Sequence, residues 1–336
     1  RGRVERLLAE GGERGVDAAL AFVATREDNV RLYSVLLGCL SRREDLEGSR
    51  RVLGELRRQG HAPNDFTFTA LVSTAGKAGD LGAAEEAFGE ARALGCATTA
   101  VFNAMIDACG RCGATARAFG LLEAMAEVGV EPDTTTYNAL MQTAGRAGDL
   151  ALAQSVYAQL RRERHLAPTD RTFSILFAAA GRASREGDGP GPGSGEREPR
   201  QQPVQGRARW AFDLYDEMVA LGVRPNSYVL SALFTACARE GKGYGRARAV
   251  VREFQAGGGR LNTAAWTAMI SLCSACGEAD EAVRIAHEHC AQPLDPYIRS
   301  AICSAIASGK RRDLAHHAQR WQVGAGRLRE ERAPPP

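Results

Sequence analysis

The segment TAVFNAMIDACGRCG (99–113) decides the fold. Phe102, Met105, Ile106 and Cys109 recur at i, i+3, i+4 and i+7, which is one stripe of a helix and not the alternation of a strand. The segment returns along the chain as NVRLYSVLLGCLSR (29–42), DFTFTALVSTAGKAG (65–79), TTTYNALMQTAGRAG (134–148) and DRTFSILFAAAGRA (170–183). The aromatics Tyr33, Phe68, Phe102, Tyr137 and Phe173 are spaced by 35, 34, 35 and 36 residues. Two further copies carry Leu230 and Trp266 at that place.

Each copy continues in one way. A glycine such as Gly79 or Gly148 ends the first segment, where the chain must leave a helix with positive φ. A second segment follows with a small residue in phase (Ala84, Ala118, Ala153, Ala211, Ala282), and it closes in Gly-x-x-Pro or a near variant, as in VGVEPD (128–133). Proline cannot continue a helix, so the repeating element is helix–turn–helix–turn. The expected fold is an all-α solenoid of tandem repeats, each burying its apolar face on its neighbours.

The register sets the expected organisation. Residues 1–29 form a degenerate N-terminal helical cap, and seven repeats occupy 30–64, 65–98, 99–133, 134–169, 170–226, 227–262 and 263–294. The fifth repeat is lengthened by a Gly-, Pro- and charge-rich insert at 184–205, expected to be disordered. A degenerate repeat at 295–322 and a disordered tail at 323–336 complete the chain. The chain begins at Arg1 and not Met, as expected of a processed form or fragment, so any targeting peptide lies outside it. No apolar run approaches the ~18 residues of a membrane span.

Counting the aromatic as position 4, position 5 is Ser34, Thr69, Asn103, Asn138, Ser174, Ser231 and Thr267, a small hydrogen-bonding residue every time. A core position would rarely stay polar in every repeat, because each unpartnered buried polar group costs about 1–3 kcal/mol. These side chains are expected to share one exposed face and meet a repeating polar ligand. The residues that close the repeats are also short and polar: Asn64, Thr98, Asp133, Thr169, Asn226 and Asn262. Position 13 is Arg42, Lys77, Arg111, Arg146, Arg182 and Arg239, broken only by Ala275. A cation suits a helix C-terminus whatever the function. It also makes a basic stripe for phosphates that the net charge of +3 conceals.

The first-helix pattern aromatic–Asn/Ser/Thr–small–Leu/Met–Ile/Leu, the Gly-x-x-Pro-Asp/Asn closure and Met125 and Met218 in second helices resemble the pentatricopeptide-repeat family over roughly 30–294. That resemblance implies a right-handed superhelix that binds single-stranded RNA at about one base per repeat, read by position 5 with the closing residue. Carried over, Ser34/Asn64, Ser174/Asn226 and Ser231/Asn262 favour A, Asn103/Asp133 favours U, and Asn138/Thr169 favours a pyrimidine. Thr69/Thr98 is an unusual pair with a purine bias, and Thr267 pairs with Leu294, which assigns no base. In the family's polarity the site reads 5′-A-R-U-Y-A-A-3′. Position 2, usually a base-sandwiching Val in the family, is here Arg31, Phe66, Ala100, Thr135, Arg171, Tyr228 and Ala264.

The pairs Cys109/Cys112 and Cys273/Cys276 look like zinc motifs in isolation. Both fall at positions 11 and 14 of repeats far apart in sequence, so they are expected to be packing residues, with no metal or cofactor. The six histidines fall out of phase, and HEHC (287–290) lacks the second half of a deaminase signature. The protein is therefore expected to be an RNA-binding module and not an enzyme, acting in organellar RNA stabilisation, processing or translation. The resemblance places it in the chloroplast, with the mitochondrion as the alternative, and allows other RNA-processing proteins as partners. The competing readings are a protein-binding scaffold and the RNA-binding part of a larger processing enzyme.

Overall fold

The computed structural model describes residues 2–9, 12–24, 29–182, 206–289, 299–300 and 302–303. Among them there are sixteen helices longer than one turn and no strand. The insert at 184–205, the tail at 323–336 and nearly all of 295–322 lie outside the described residues.

The chain divides into two compact blocks, Arg1–Ala167 and Pro168–Pro336. The first holds α1 (Gly2–Ala9), α2 (Gly12–Ala24), α3 (Asn29–Arg43), α4 (Leu46–Arg58), α5 (Asp65–Ala78), α6 (Leu81–Ala93), α7 (Thr99–Arg111), α8 (Thr115–Glu127), α9 (Thr134–Arg146) and α10 (Leu150–Arg162). The second holds α11 (Asp170–Arg182), α12 (Arg207–Ala220), α13 (Ser227–Glu240), α14 (Tyr244–Ala256), α15 (Thr263–Cys276) and α16 (Ala279–His289).

Positions 4, 7, 8 and 11 are buried in all seven first helices α3, α5, α7, α9, α11, α13 and α15. Phe102 and Ile106 are wholly inaccessible, and each fully buried side chain of this size contributes about 1.5–3 kcal/mol. First helices stack on first helices: α3 on α5, α5 on α7 and α7 on α9 in one block, α11 on α13 and α13 on α15 in the other. Second helices wedge between them, α6 against α5 and α7, α8 against α7 and α9. The phased alanines, from Ala84 to Ala282, are fully buried.

Glycine sets how closely the first helices stack. A Cβ on Gly76 would lie 2.5 Å from the Ala108 Cβ and 2.6 Å from its Cα. A Cβ on Gly110 would lie 2.2 Å from the Thr143 Oγ1. Both glycines sit at position 12, in the last turn of α5 and α7, where glycine gives up more backbone freedom on folding than alanine would. The close approach is what requires them.

The second helices are tied to one another by charge. Arg51 meets Asp17 from α4 to α2, and Arg57 meets Glu90 from α4 to α6. Arg117 bonds Glu85 at 2.8 Å from α8 to α6, and Arg246 bonds Asp216 at 2.6 Å from α14 to α12. Exposed pairs of this kind contribute about 0–1 kcal/mol each. Their other effect is to pair cations with anions along the second helices.

Candidate nucleic-acid interface

Positions 2, 5, 9 and 13 of a first helix are separated by three, four and four residues, so they lie along one face. The structure leaves this face as the accessible stripe. Position 2 is exposed wherever its side chain is described, with Phe66 60% and Tyr228 75% accessible. Position 5 is half-buried in six repeats, and Asn138 is 5% accessible. Position 13 is exposed or half-buried throughout.

Half-burial at position 5 is compatible with polarity because the hydroxyls are already satisfied locally. Thr69, Ser174 and Thr267 donate to the carbonyls of Asp65, Asp170 and Thr263 at 2.7, 2.9 and 2.8 Å, one helical turn back. With its proton placed there, each oxygen offers a ligand only lone pairs. The asparagines differ. Asn103 donates from Nδ2 to the Asp133 Oδ1 at 3.1 Å, while the Oδ1 atoms of Asn103 and Asn138 are buried with no hydrogen-bond partner.

The closing residues are helix N-caps. Asn64 accepts from the Thr67 amide at 3.0 Å at the start of α5, and Asp133 accepts from the Thr136 amide at 2.7 Å at the start of α9. In both, the threonine hydroxyl faces back to the cap backbone and closes a capping box. Asn226 accepts from the Tyr228 and Val229 amides, and Asn262 from the Ala265 amide. Thr169 contacts the Thr172 hydroxyl at 3.3 Å. Thr98 makes no side-chain cap bond at α7. Capping by itself favours Asn, Asp, Ser and Thr at these places, a reason for the polar series that sequence reasoning missed. The cap also fixes what remains for a ligand. An asparagine whose Oδ1 is committed keeps two N–H donors, whereas the aspartate keeps an acceptor oxygen. The structure joins Asn103 to Asp133 directly.

Position 13 is built into the stack. Lys77 donates to the Ser41 carbonyl on α3 at 2.9 Å, so its charge meets a neutral group. Arg42 lies 3.6 Å from Glu5. Arg111 and Arg146, on consecutive first helices, converge on Asp107 at position 9, each at 2.8 Å. Burial pushes the Asp107 carboxyl up, but the two guanidinium bonds outweigh it and hold it below the usual carboxylate range. Position 9 escaped the sequence reading, although its signal was present: it sits one turn from both 5 and 13.

Among the described residues, no group of three or more His, Cys, Asp or Glu side chains could hold a metal ion. Cys109 and Cys273 are buried, and burial raises their thiols to about 11 and 12. No described helix is long and apolar enough to cross a membrane.

Known family models match these repeats. The PPR repeat model matches 31–61 and 135–165, the pentatricopeptide repeat domain 51–112, the PPR repeat family 97–144, and the pentacotripeptide-repeat region of PRORP 202–316. The chain belongs to the pentatricopeptide-repeat family. Among curated relatives, a pentatricopeptide repeat-containing protein of Arabidopsis thaliana is 28% identical over 165 residues, covering 48% of this chain and 24% of the relative. A chloroplastic one from the same plant is 24% identical over 236 residues, covering 60% and 25%, and a mitochondrial one is 25% identical over 171 residues, covering 49% and 24%. The chain spans about a quarter of the length of the curated relatives it matches. Among solved structures, maize PPR10 is 20% identical, covering 96% of this chain and 53% of that one, with a TM-score of 0.45.

Proposed function

We propose that the protein binds single-stranded RNA along its first helices, close to one base per repeat, and acts by occupancy in organellar RNA stabilisation, processing or translation. The observation that carries this reading is the repeated stripe. In every first helix the four inward positions are buried, while position 2 is exposed, position 5 is a half-buried hydrogen-bonding residue in all but α9, and position 13 is an accessible cation in all but α15.

The local bonds support base selectivity. A back-bonded Ser174 offers an acceptor and a capping Asn226 offers a donor, which matches the N6 donor and N1 acceptor of adenine. Asp133 offers an acceptor and so suits a base edge that donates, as the N3–H of uracil does. Phe66 and Tyr228 give the flanking position a stacking surface, worth about 1–3 kcal/mol per base in single-strand binders. Position 13 supplies phosphate contacts through Arg42, Lys77, Arg111, Arg146, Arg182 and Arg239. Relatives named as chloroplastic and mitochondrial favour an organelle without choosing between them.

Anisotropy titration with short single strands tests this. Tight binding of a 5′-AAUCAA-3′ RNA at low salt, weakening as salt rises and exceeding that of scrambled strands, is the expected result. No binding, or equal binding of any polyanion, refutes it.

A further inference from the structure

In the third repeat the stripe of position 13 cations meets an anion that lies on the stripe itself. Position 9 reads Gly38, Ser73, Asp107, Gln142, Ala178, Thr235 and Ser271, so only the third repeat carries a charge there. That charge is an anion set between two of the six position 13 cations. Asp107 Oδ2 accepts from the Arg111 Nε of its own helix at 2.8 Å, and Oδ1 accepts from the Arg146 Nη1 of the next first helix at 2.8 Å. All three side chains remain partly accessible, at 31% for Asp107, 38% for Arg111 and 26% for Arg146. The bonds are short and charge-assisted, and together they present a two-oxygen anion to two guanidinium groups, as a backbone phosphate would. Elsewhere in the block the position 13 cations meet other groups: Lys77 donates to the carbonyl and hydroxyl of Ser41, and Arg42 lies 3.6 Å from Glu5 of α1, outside the stripe.

We infer that Asp107 is an internal phosphate surrogate: it occupies Arg111 and Arg146 in the free protein and lowers the affinity and salt dependence of RNA binding at the third and fourth repeats. RNA reaching this point must either displace the carboxylate from the two arginines or pass without a phosphate contact. Asp107 thus limits how far backbone attraction dominates, and leaves base readout by the adjacent Asn103/Asp133 pair a larger share of the discrimination. The inference rests on the RNA-binding reading above.

The test substitutes Asp107→Ser, the residue that α5 and α15 carry at the same place, in the full chain. Dissociation constants for a 5′-AAUCAA-3′ RNA and a scrambled strand are measured across a KCl series. With two arginines released to phosphates, the log–log salt slope should steepen by roughly 1.4, at about 0.7 per phosphate for single strands. Low-salt binding should tighten for both strands, so their affinity ratio narrows. Adding Arg111→Gln and Arg146→Gln should return the slope to the wild-type value or below. An unchanged or shallower slope, or weaker binding by a variant of native helicity, overturns the inference and shows that Asp107 instead orients the arginines. Asp107→Asn, which keeps the side-chain volume, gives the same reading if the serine variant does not fold. Wild-type protein that binds no RNA at the lowest salt removes the RNA-binding reading and this inference together. Wild-type binding with an unaltered variant slope removes only this one.

Discussion

Gly110→Ala tests the packing of the first helices more sharply than any deletion. In an unobstructed helix the change should stabilise by about 0.5–1 kcal/mol, because alanine loses less backbone freedom on folding. Here the new methyl would sit 2.2 Å from the Thr143 Oγ1 and 3.1 Å from its Cβ. The threonine cannot simply turn away: its hydroxyl bonds the Ala139 carbonyl at 2.9 Å and the side chain is 1% accessible. Overpacking of this kind costs about 1–3 kcal/mol, so the net expectation is destabilisation by about 1–2 kcal/mol. Thr143→Ala alone loses a satisfied hydroxyl and a methyl, about 1–2 kcal/mol. Combined with Gly110→Ala it removes the clashing oxygen, and the double variant should recover at least about 1 kcal/mol relative to additivity. Gly76→Ala is the control. Its methyl would meet the Ala108 Cα at 2.6 Å, so Ala108→Gly leaves that clash in place and should give no comparable rescue. Urea midpoints followed by circular dichroism read the cycle without extrapolation, which suits a repeat array whose unfolding need not be two-state. A Gly110→Ala protein as stable as wild type, or equal rescue at both sites, would refute the argument.

Other substitutions probe the caps, the charges and the thiols. Asp133→Ala should cost about 1 kcal/mol through the lost α9 cap, whereas Asp133→Asn keeps a capping oxygen and should cost far less; equal losses in chemical denaturation would contradict this. Asn103→Ser with Asp133→Asn should move the preference at the third base from U towards A in a competition titration, and continued preference for U would show the register to be wrong. Because the folded Asp107 carboxyl sits below its ordinary value, its ion pairs stabilise above the unfolded value near ~4 and are lost as pH falls through the lower folded one. Asp107→Ser should therefore flatten the acid limb of a stability–pH profile and leave the neutral-to-alkaline limb unchanged. Cys109, Cys237 and Cys273 are buried, with thiols raised by that burial to about 11, 12 and 12. They should resist maleimide at pH 8 until the protein unfolds, and rapid native labelling of any of them would show that these helices open.

The helices and their buried stripe were legible because one set of four positions repeats seven times, which no single segment could have established. The short polar closing residues were legible as a pattern but not in their cause. A sequence shows that Asn64 and Asp133 recur, while only the fold shows that each holds the first free amides of a helix. Position 5 was read as exposed, and the structure makes it half-buried, because a hydroxyl bonded to its own helix needs no water. Asp107 went unread because its meaning depends on Arg146, 39 residues away, and a pair joined across two repeats leaves no local signature. Gly76 and Gly110 were silent for the same reason: they mark the nearness of another helix.

The cap geometry limits how such an array could be re-coded. A closing residue that reads a base also ends the preceding turn and starts the next helix, so its identity is constrained twice. Asparagine and aspartate meet both demands with different atoms, one oxygen for the helix and the other group for the ligand, and exchanging them changes donor for acceptor at little cost in stability. Threonine meets them unevenly: Thr169 accepts from the Thr172 amide at 3.4 Å. At Thr98 the side chain makes no cap bond, and α7 begins with its free amides uncovered by that residue. Thr98→Asn should therefore do two things at once: stabilise the protein by up to about 1 kcal/mol through a new α7 cap, and add an outward N–H donor at the second base. A gain in urea midpoint together with sharper purine selectivity would tie the two roles to one side chain. A gain in stability with selectivity unmoved would separate capping from recognition, and would leave position 5 as the reader of that base.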